Sequence, residues 1–410
     1  MGTGIIKKFE FGRIDANNEL QAVGEDFFVD SFMPYEQYQI DKFLSGSKYY
    51  ICGDKGTGKT ALLKYLECTF SKEKENKVVS IRFKSDIDED DRKGMHAKVR
   101  SIDETTIEQR PDDLQSYKLA WYLFILKTIF EAEKTGEYLF FEESTEKDII
   151  RKLLELIYEG QVGRVIPHIK KGRFLLSASS TGLSAEIEGE IEFDKQTKQI
   201  NFIKTIKKIL ALFDALRPGR NNVYLLFDEL ELSIRNKKEL KRDVELIRDL
   251  ILVIDEINKL ANQKGLCIRL IGSVRNDVLT HVSAAGYEIN KCIEDFGVSI
   301  SWYRRGGDEK TQPLLRMIEK KINASEKRLG IAVSENVWET YFQQEINNEA
   351  VTKYILGLTW YRPRDIIRLL NLAQNMAEDK SNIINQEMFD RAMLEYAKKS
   401  WECASSALEI

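Results

Sequence analysis

The stretch Gly53-Asp54-Lys55-Gly56-Thr57-Gly58-Lys59-Thr60 decides the fold of this 410-residue chain. It matches the pattern G-x-x-x-x-G-K-T and lies between an apolar run (48–52), which predicts a β-strand, and a segment (59–73) with leucines on one helical face. Glycines at this point let backbone N–H groups wrap a phosphate, because glycine adopts positive φ at little cost. The stretch therefore predicts a P-loop within an α/β fold.

This loop predicts ATP and Mg²⁺ as ligands. Lys59 is expected to neutralise the β- and γ-phosphates and to act in catalysis, and Thr60 is expected to ligate the metal. The helix that follows directs its positive end toward the anion. The predicted nucleotide contacts in this part of the chain are Gly53, Asp54, Lys55, Gly56, Thr57, Gly58, Lys59, Thr60 and Ala61.

A second apolar run, Val223-Tyr-Leu-Leu-Phe-Asp228-Glu229, predicts a buried parallel strand that ends in two carboxylates. Asp228 is expected to hold the magnesium ion through water, and Glu229 to polarise the attacking water as a general base. A base at this position favours hydrolysis of ATP over transfer of phosphate to a small molecule. Glu231 is predicted to be a solvated residue at the start of a helix.

Two further segments place polar side chains where they are able to meet a γ-phosphate. The predicted strand 266–271 is followed by Ser273, Arg275 and Asn276, and the sequence does not decide which of them contacts the phosphate. Pro363 suits the first turn of a helix, and Arg364 follows it directly. A cation near a helix N-terminus opposes the helix dipole, so a bound anion would compensate.

The pattern of elements predicts an α/β core with an insertion and a helical C-terminal domain. The insertion is expected to hold helices at 112–132, 146–158 and 198–216, with a β-hairpin at 173–193. After residue 311 only helices are predicted. The predicted domains are an N-terminal segment (1–45), the core (46–85 and 220–305), the insertion (86–219) and the C-terminal helical lid domain (311–410).

Composition excludes several classes of protein. A net charge of −4 argues against a basic nucleic-acid coat, and the five scattered cysteines suit a reducing cytoplasm. The most apolar run, 119–126, is far too short for a membrane span and predicts a buried helix. Contact with nucleic acid would have to be local. The candidate residues for it are Arg164, Lys170, Lys171, Arg173, Arg217 and Arg220.

Together these segments resemble the AAA+/STAND group of P-loop ATPases. The resemblance covers 1–85 and 220–378 and rests on the order of P-loop, Asp-Glu strand, polar strand end and Arg-Pro-Arg-Asp segment. The opening segment also resembles a bacterial subgroup often found beside phage-defence genes. The matching stretches are Phe11-Gly-Arg-Ile-Asp-Ala16, Phe27-Phe-Val-Asp30 and Ile51 to Leu62.

The resemblance implies a parallel sheet of order 5-1-4-3-2, with Ser273 or Arg275 as sensor 1, Pro363 against the adenine and Arg364 as sensor 2. The segment 289–297 departs from the pattern, since it holds no arginine where ring-forming members supply one to a neighbour, and a hexameric motor is not expected. The leading hypothesis is an ATP-hydrolysing molecular switch that controls a partner protein through the insertion or the lid, in phage defence. The alternatives are a DNA-loaded initiator or clamp-loader-like ATPase and, third, a nucleotide kinase. The sequence leaves the oligomeric state open.

Overall fold

The computed structural model describes residues 4–87, 92, 116–133, 136–158, 169–170, 173–175, 193–194, 199–232, 236–285, 289–304 and 312–408. Within these ranges the strands are, in chain order, β1 (Tyr50–Gly53), β2 (Asn76–Arg82), β3 (Ile169–Lys170), β4 (Arg173–Leu175), β5 (Phe193–Asp194), β6 (Gln199–Asn201), β7 (Asn222–Leu230), β8 (Ile268–Arg275), β9 (Gly297–Ser299), β10 (Glu345–Ile346) and β11 (Glu349–Ala350).

The helices are numbered here in chain order. The described α-helices are α1 (Ala16–Val23), α2 (Glu25–Ser31), α3 (Ile40–Leu44), α4 (Lys59–Ser71), α5 (Ser116–Glu133), α6 (Thr145–Tyr158), α7 (Phe202–Asp214), α8 (Lys237–Lys264), α9 (Asn276–Ala284), α10 (Asn290–Phe296), α11 (Pro313–Leu329), α12 (Val337–Tyr341), α13 (Val351–Thr359), α14 (Pro363–Asn375) and α15 (Gln386–Leu408). Short 3₁₀ turns lie at Ile5–Lys8 and Glu36–Tyr38.

The main sheet is parallel, with five strands in the order β2-β7-β8-β1-β9. Counted along the chain, these strands run 2-3-4-1-5 across the sheet, which confirms the predicted order 5-1-4-3-2. β2 pairs with β7 from Asn76 opposite Asn222 to Arg82 opposite Asp228. The apolar side chains of β7, from Val223 to Phe227, are largely buried, as expected for a strand inside a parallel sheet.

The chain divides into two compact units, and one of them combines segments that are distant in sequence: 1–47, 51–69 and 298–410. Its N-terminal segment packs on the C-terminal helices. Phe9 lies edge-on to Tyr341 with ring centres 4.8 Å apart, and the side-chain amide of Gln374 donates to the carbonyls of Ile6 and Phe9, each at 2.8 Å. The last helices therefore share a core with the first forty residues.

The other unit comprises 48–50 and 70–297, and its longest helix, α8, packs against α5 and β8. Trp121 of α5 is fully buried and its indole N–H donates to the carbonyl of Leu246 at 2.9 Å. The prediction of a buried helix around 119–126 is confirmed. Across the described residues no helix combines the length and the apolar character needed to cross a bilayer.

Two predicted elements of the insertion differ in part from the described structure. The predicted hairpin 173–193 lies partly outside the described residues, and its two described ends do not pair with each other: β4 and β5 each pair with β6. The helix expected from residue 198 begins at Phe202 instead, because residues 199–201 form β6. Asn201 ends the strand and caps the helix, since its side chain accepts a hydrogen bond from the backbone N–H of Lys204 at 2.9 Å.

The C-terminal region is helical, as predicted, with one exception. β10 and β11 form a small antiparallel hairpin between α12 and α13, around Asn347 and Asn348, both of which have positive φ. Asparagine tolerates this conformation better than most residues, which explains a turn where the apolar pattern predicts only helix. The predicted domain boundaries stay predictions.

A buried ion pair joins the N-terminal segment to α11, and its removal is expected to destabilise the fold. Glu19 and Lys321 are each about 5% exposed and pair directly, and the second Glu19 oxygen accepts from the N–H of Arg13 at 2.9 Å. Glu19→Gln should lower the free energy of unfolding by about 3 kcal/mol, because Lys321 would remain charged and buried. Urea denaturation followed by circular dichroism measures this loss.

The control is Lys353→Gln, which breaks an exposed pair with Glu349 (56% and 47% exposed) and should leave the midpoint almost unchanged. Equal small effects from both variants would show that the pair with Glu19 contributes nothing to stability.

Candidate functional site

The glycine-rich loop connects β1 to α4, and two of its glycines adopt a conformation that other residues avoid. Gly56 has φ of 86° and Gly58 has φ of 90°. Between them Thr57 is buried, and its hydroxyl donates to the carbonyl of Asp54 at 2.9 Å, which closes the loop on itself. Both glycines therefore adopt the positive φ that the sequence pattern predicts for them.

Trp302, which follows β9, holds the glycine-rich loop through a hydrogen bond to its backbone. Its indole N–H donates to the carbonyl of Thr57 at 2.8 Å, and the side chain is 5% exposed. The sequence does not indicate this contact, because Trp302 lies beyond the end of β9 at Ser299 and no local pattern links it to the loop. The sequence shows only that a tryptophan follows the last strand of the sheet. It does not indicate that the indole N–H binds the carbonyl of Thr57.

The side chain of Lys59 lies across the loop. Its ammonium group donates to the carbonyls of Gly53, at 3.0 Å, and Asp54, at 2.9 Å. Ala61, also predicted as a nucleotide contact, is partly buried and packs against the apolar cluster of Ala16, Phe28 and Cys68.

Arg364 lies directly against this loop. Pro363 occupies the first turn of α14, as predicted, and its side chain is buried. The N–H of Arg364 approaches the carbonyl of Gly56 at 3.4 Å. A Cβ atom at Gly56 would lie only 3.3 Å from the Cβ of Arg364. The Nε atom of Arg364 is buried and has no hydrogen-bond partner in the described part of the chain. A buried, unsatisfied guanidinium N–H beside a P-loop-like turn suits an anionic acceptor.

The carboxylates at the end of β7 belong to the other compact unit, and each has a hydroxyl partner. Ser273 on β8 donates to Asp228 Oδ1, and Ser85 donates to Glu229 Oε2 at 2.6 Å. Glu229 has φ of 56°, and the pairing of β7 with β8 shifts register between Phe227 and Leu230. A glutamate with positive φ is uncommon, and such residues concentrate at functional sites.

Arg275 is held by carboxylates. It forms a bidentate bond with Asp277, with Nε 2.9 Å from Oδ1, and a second ion pair with Glu231 at 3.3 Å. Glu231 also pairs with Lys84 at 3.3 Å. The prediction that Glu231 starts a helix and is simply solvated was wrong, since α8 begins at Lys237 and Glu231 is half-buried between two cations.

The structure thus groups the predicted residues into two sets. The loop, Pro363 and Arg364 lie in one unit, and Asp228, Glu229, Ser273 and Arg275 lie in the other. Sequence analysis missed Ser85, because nothing in the loop after β2 marks one serine as special. In the predicted basic cluster Arg217 and Arg220 are exposed, and the side chains of Arg164, Lys170, Lys171 and Arg173 lie outside the described part of the chain.

Two comparisons with known proteins bear on this chain. Residues 312–402 match the family described as the FunZ-associated C-terminal helical domain. Over 141 residues the chain is 30% identical to the putative transposon gamma-delta 80.3 kDa protein of Escherichia coli (strain K12). That alignment covers 34% of this chain and 18% of the relative. Neither description names a nucleotide or an enzymatic activity, and no solved structure matches the chain.

The pairing of Arg275 with Glu231 gives a prediction about titration. Burial alone would raise the pKa of Glu231, but Arg275 and Lys84 outweigh it and hold the pKa below its ordinary value of 4.5. Because the folded pKa is lowered, the pair stabilises the fold above that ordinary value, and the stabilisation is lost as pH falls through the folded pKa. Arg275→Gln should therefore raise the pKa of Glu231, as followed by carbon NMR of the side-chain carboxyl. Arg391→Gln, on an exposed face of α15, should leave it unchanged, and the same pKa in both variants would contradict the pairing.

Proposed function

We propose that this chain binds ATP with magnesium at the loop 53–60, hydrolyses it, and acts as a nucleotide-controlled switch of the AAA+/STAND type. One observation carries the proposal: Arg364, from a segment that matches a helical family domain, packs on Gly56 with a buried Nε that has no partner in the described residues. The glycine-rich loop and the guanidinium of Arg364 together would form one anion-binding site.

The loop residues fit the phosphates of a nucleotide. Positive φ at Gly56 and Gly58 allows successive N–H groups to converge, and the ammonium of Lys59 already crosses the loop. Thr60 stands in the first turn of α4, where its hydroxyl suits a magnesium ligand. Pro363, buried beside Arg364, is assigned to the adenine contact that the resemblance implies.

The carboxylates at the end of β7 fit the chemistry of hydrolysis. Ligands of open α/β sheets bind at the carboxyl ends of the strands, and Asp228 and Ser273 stand at such ends. Asp228 is assigned, with Thr60, to the magnesium ion, which would neutralise charge that develops on the phosphates. Glu229 takes a proton from water as the water oxygen bonds to the γ-phosphorus and the bond to the bridging oxygen breaks, which releases ADP and phosphate.

The switch arises because Arg364 belongs to the helical segment rather than to the loop. When its guanidinium binds the γ-phosphate, the position of α14 depends on the nucleotide present. Ser273 and Arg275 remain the candidates for a second γ-phosphate contact, and Ser273 is the better placed because Arg275 already binds two carboxylates. A partner protein that contacts this helical segment or the insertion would then respond to ATP, in a cytoplasmic role in phage defence.

Two variants separate binding from hydrolysis. Lys59→Ala should abolish ATP binding, because the loop loses the ammonium that lies across it. Glu229→Gln should bind ATP as the parent does and hydrolyse it about a hundredfold more slowly, because the general base is gone. Titration calorimetry measures binding, and phosphate release measures turnover.

The matched controls are Lys42→Ala, an exposed lysine of α3 outside the loop, and Glu256→Gln, which alters a carboxylate of α8 outside the assigned set. Parental ATP binding by Lys59→Ala would overturn the proposal, and parental turnover by Glu229→Gln would leave the carboxylate pair a structural feature. Assays with and without single-stranded DNA, duplex DNA and RNA, and with a nucleoside as phosphate acceptor, test the alternative functions.

Arg364→Ala tests the switch itself. A charge-assisted bond to the γ-phosphate contributes about 1.5 to 3 kcal/mol, so its loss should slow hydrolysis by about one to two orders of magnitude. Protection of the chain from limited proteolysis by a non-hydrolysable ATP analogue should also disappear, with a smaller change in ADP binding. Arg391→Ala, exposed on α15 of the same unit, is the control. If Arg364→Ala is protected by the analogue as the parent is, the switch role of α14 is wrong.

A further inference from the structure

Three aromatic residues that are exposed or half-exposed are grouped here as the aromatic platform: Tyr303, Trp360 and Tyr361, the last two adjacent in the chain. Trp360 is 66% exposed and Tyr303 is 55% exposed. The rings of Tyr303 and Tyr361 meet edge to face with centres 5.0 Å apart. Each exposed ring leaves a large apolar area in contact with water, where a flat apolar ligand is able to cover it.

The backbone of the platform is strained. Trp360 has φ of 47° and Tyr361 has φ of 54°, so two bulky residues in succession adopt the left-handed conformation at the end of α13. Helices commonly end in this way with a glycine, which carries no such cost. The chain instead places a tryptophan and a tyrosine there, and residues held in such conformations concentrate at functional sites.

Cationic groups accompany the rings. The guanidinium of Arg362 lies 5.6 Å from the centre of the Trp360 ring, and Arg304, next to Tyr303, is exposed. The exposed or half-exposed side chains of 301–304 and 360–362 are aromatic, cationic or serine, and none in these two segments is acidic or aliphatic. The surface therefore complements a ligand with flat apolar faces and negative charge.

We propose that the aromatic platform binds the unpaired bases of a single-stranded nucleic acid. Bases stack on exposed aromatic rings whatever their sequence, and arginines beside the rings bind the phosphates. A duplex hides the faces of its bases and cannot stack in this way. The proposal does not rest on ATP binding. The bound nucleic acid would nevertheless lie near the glycine loop, because the N–H of Arg364, two residues beyond Arg362, approaches the carbonyl of Gly56.

The test is binding of a fluorescein-labelled thymidine oligonucleotide of about 15 nucleotides, measured by anisotropy without ATP. Trp360→Ala should weaken binding about tenfold or more, because one stacked base is lost. Trp360→Phe keeps a ring and should bind nearly as the parent does, with a smaller quench of intrinsic tryptophan fluorescence on binding. Leu394→Ala removes another exposed apolar side chain (85% exposed) and should change nothing.

The arginines give an independent readout in the salt dependence. Each phosphate contact on a single strand contributes about 0.7 to the slope of log affinity against log salt concentration. The double variant Arg304→Gln and Arg362→Gln should therefore lower the slope by about 1.4. A structural effect of the substitutions would change affinity at all salt concentrations alike and leave the slope unaltered.

Three outcomes would overturn the proposal. One is parental oligonucleotide binding by Trp360→Ala, and another is duplex binding as tight as single-strand binding. The third is a change in particle mass with Trp360→Ala without a change in oligonucleotide binding, which would make the platform a protein interface. The variant Lys59→Ala should bind the oligonucleotide as the parent does, so failure of the proposed ATP site and failure of the platform are distinguishable.

Discussion

Gly56 meets two requirements at one position, and the candidate site depends on both. Its φ of 86° turns the loop so that successive N–H groups converge, and the absence of a Cβ lets Arg364 approach the backbone. Any other residue would strain the turn, and its Cβ would require Arg364 to shift by a few tenths of an ångström. The loop and the helical segment are therefore coupled through a single residue that has no side chain, and a change at this point disturbs both at once.

Patterns local in sequence predict much of this fold, and contacts between distant residues account for what they miss. The glycine spacing and the apolar runs at 48–52 and 223–227 predict a parallel sheet, and the strand order follows from the resemblance that they support. The bond from Ser85 to Glu229 joins residues 144 positions apart, and no local pattern contains it. Glu231 was misplaced for the same reason, because its two cationic partners come from other elements.

The boundary between strand and helix at Asn201 shows a different limit. The apolar pattern continues smoothly from β6 into α7, so periodicity alone extends the helix backward by several residues. The asparagine side chain decides the boundary, because it satisfies the N–H of Lys204 at the first turn. A cap residue carries more information about where a helix starts than the hydrophobic residues that follow it.

The unit that holds the loop also has a consequence for how the chain is made. Its core needs segments 4–31, 51–69 and 312–402 together, since Glu19 pairs with Lys321 and Gln374 binds the backbone of Ile6 and Phe9. A ribosome delivers residue 69, the end of the second segment, 243 residues before residue 312, where the third begins. Until α14 emerges, the early segments have no partner to fold against, and such long-range contacts form slowly. During most of its synthesis a nascent chain therefore holds the glycine loop without the contact to Arg364. Chaperones that cover exposed apolar segments would be needed above all for this unit.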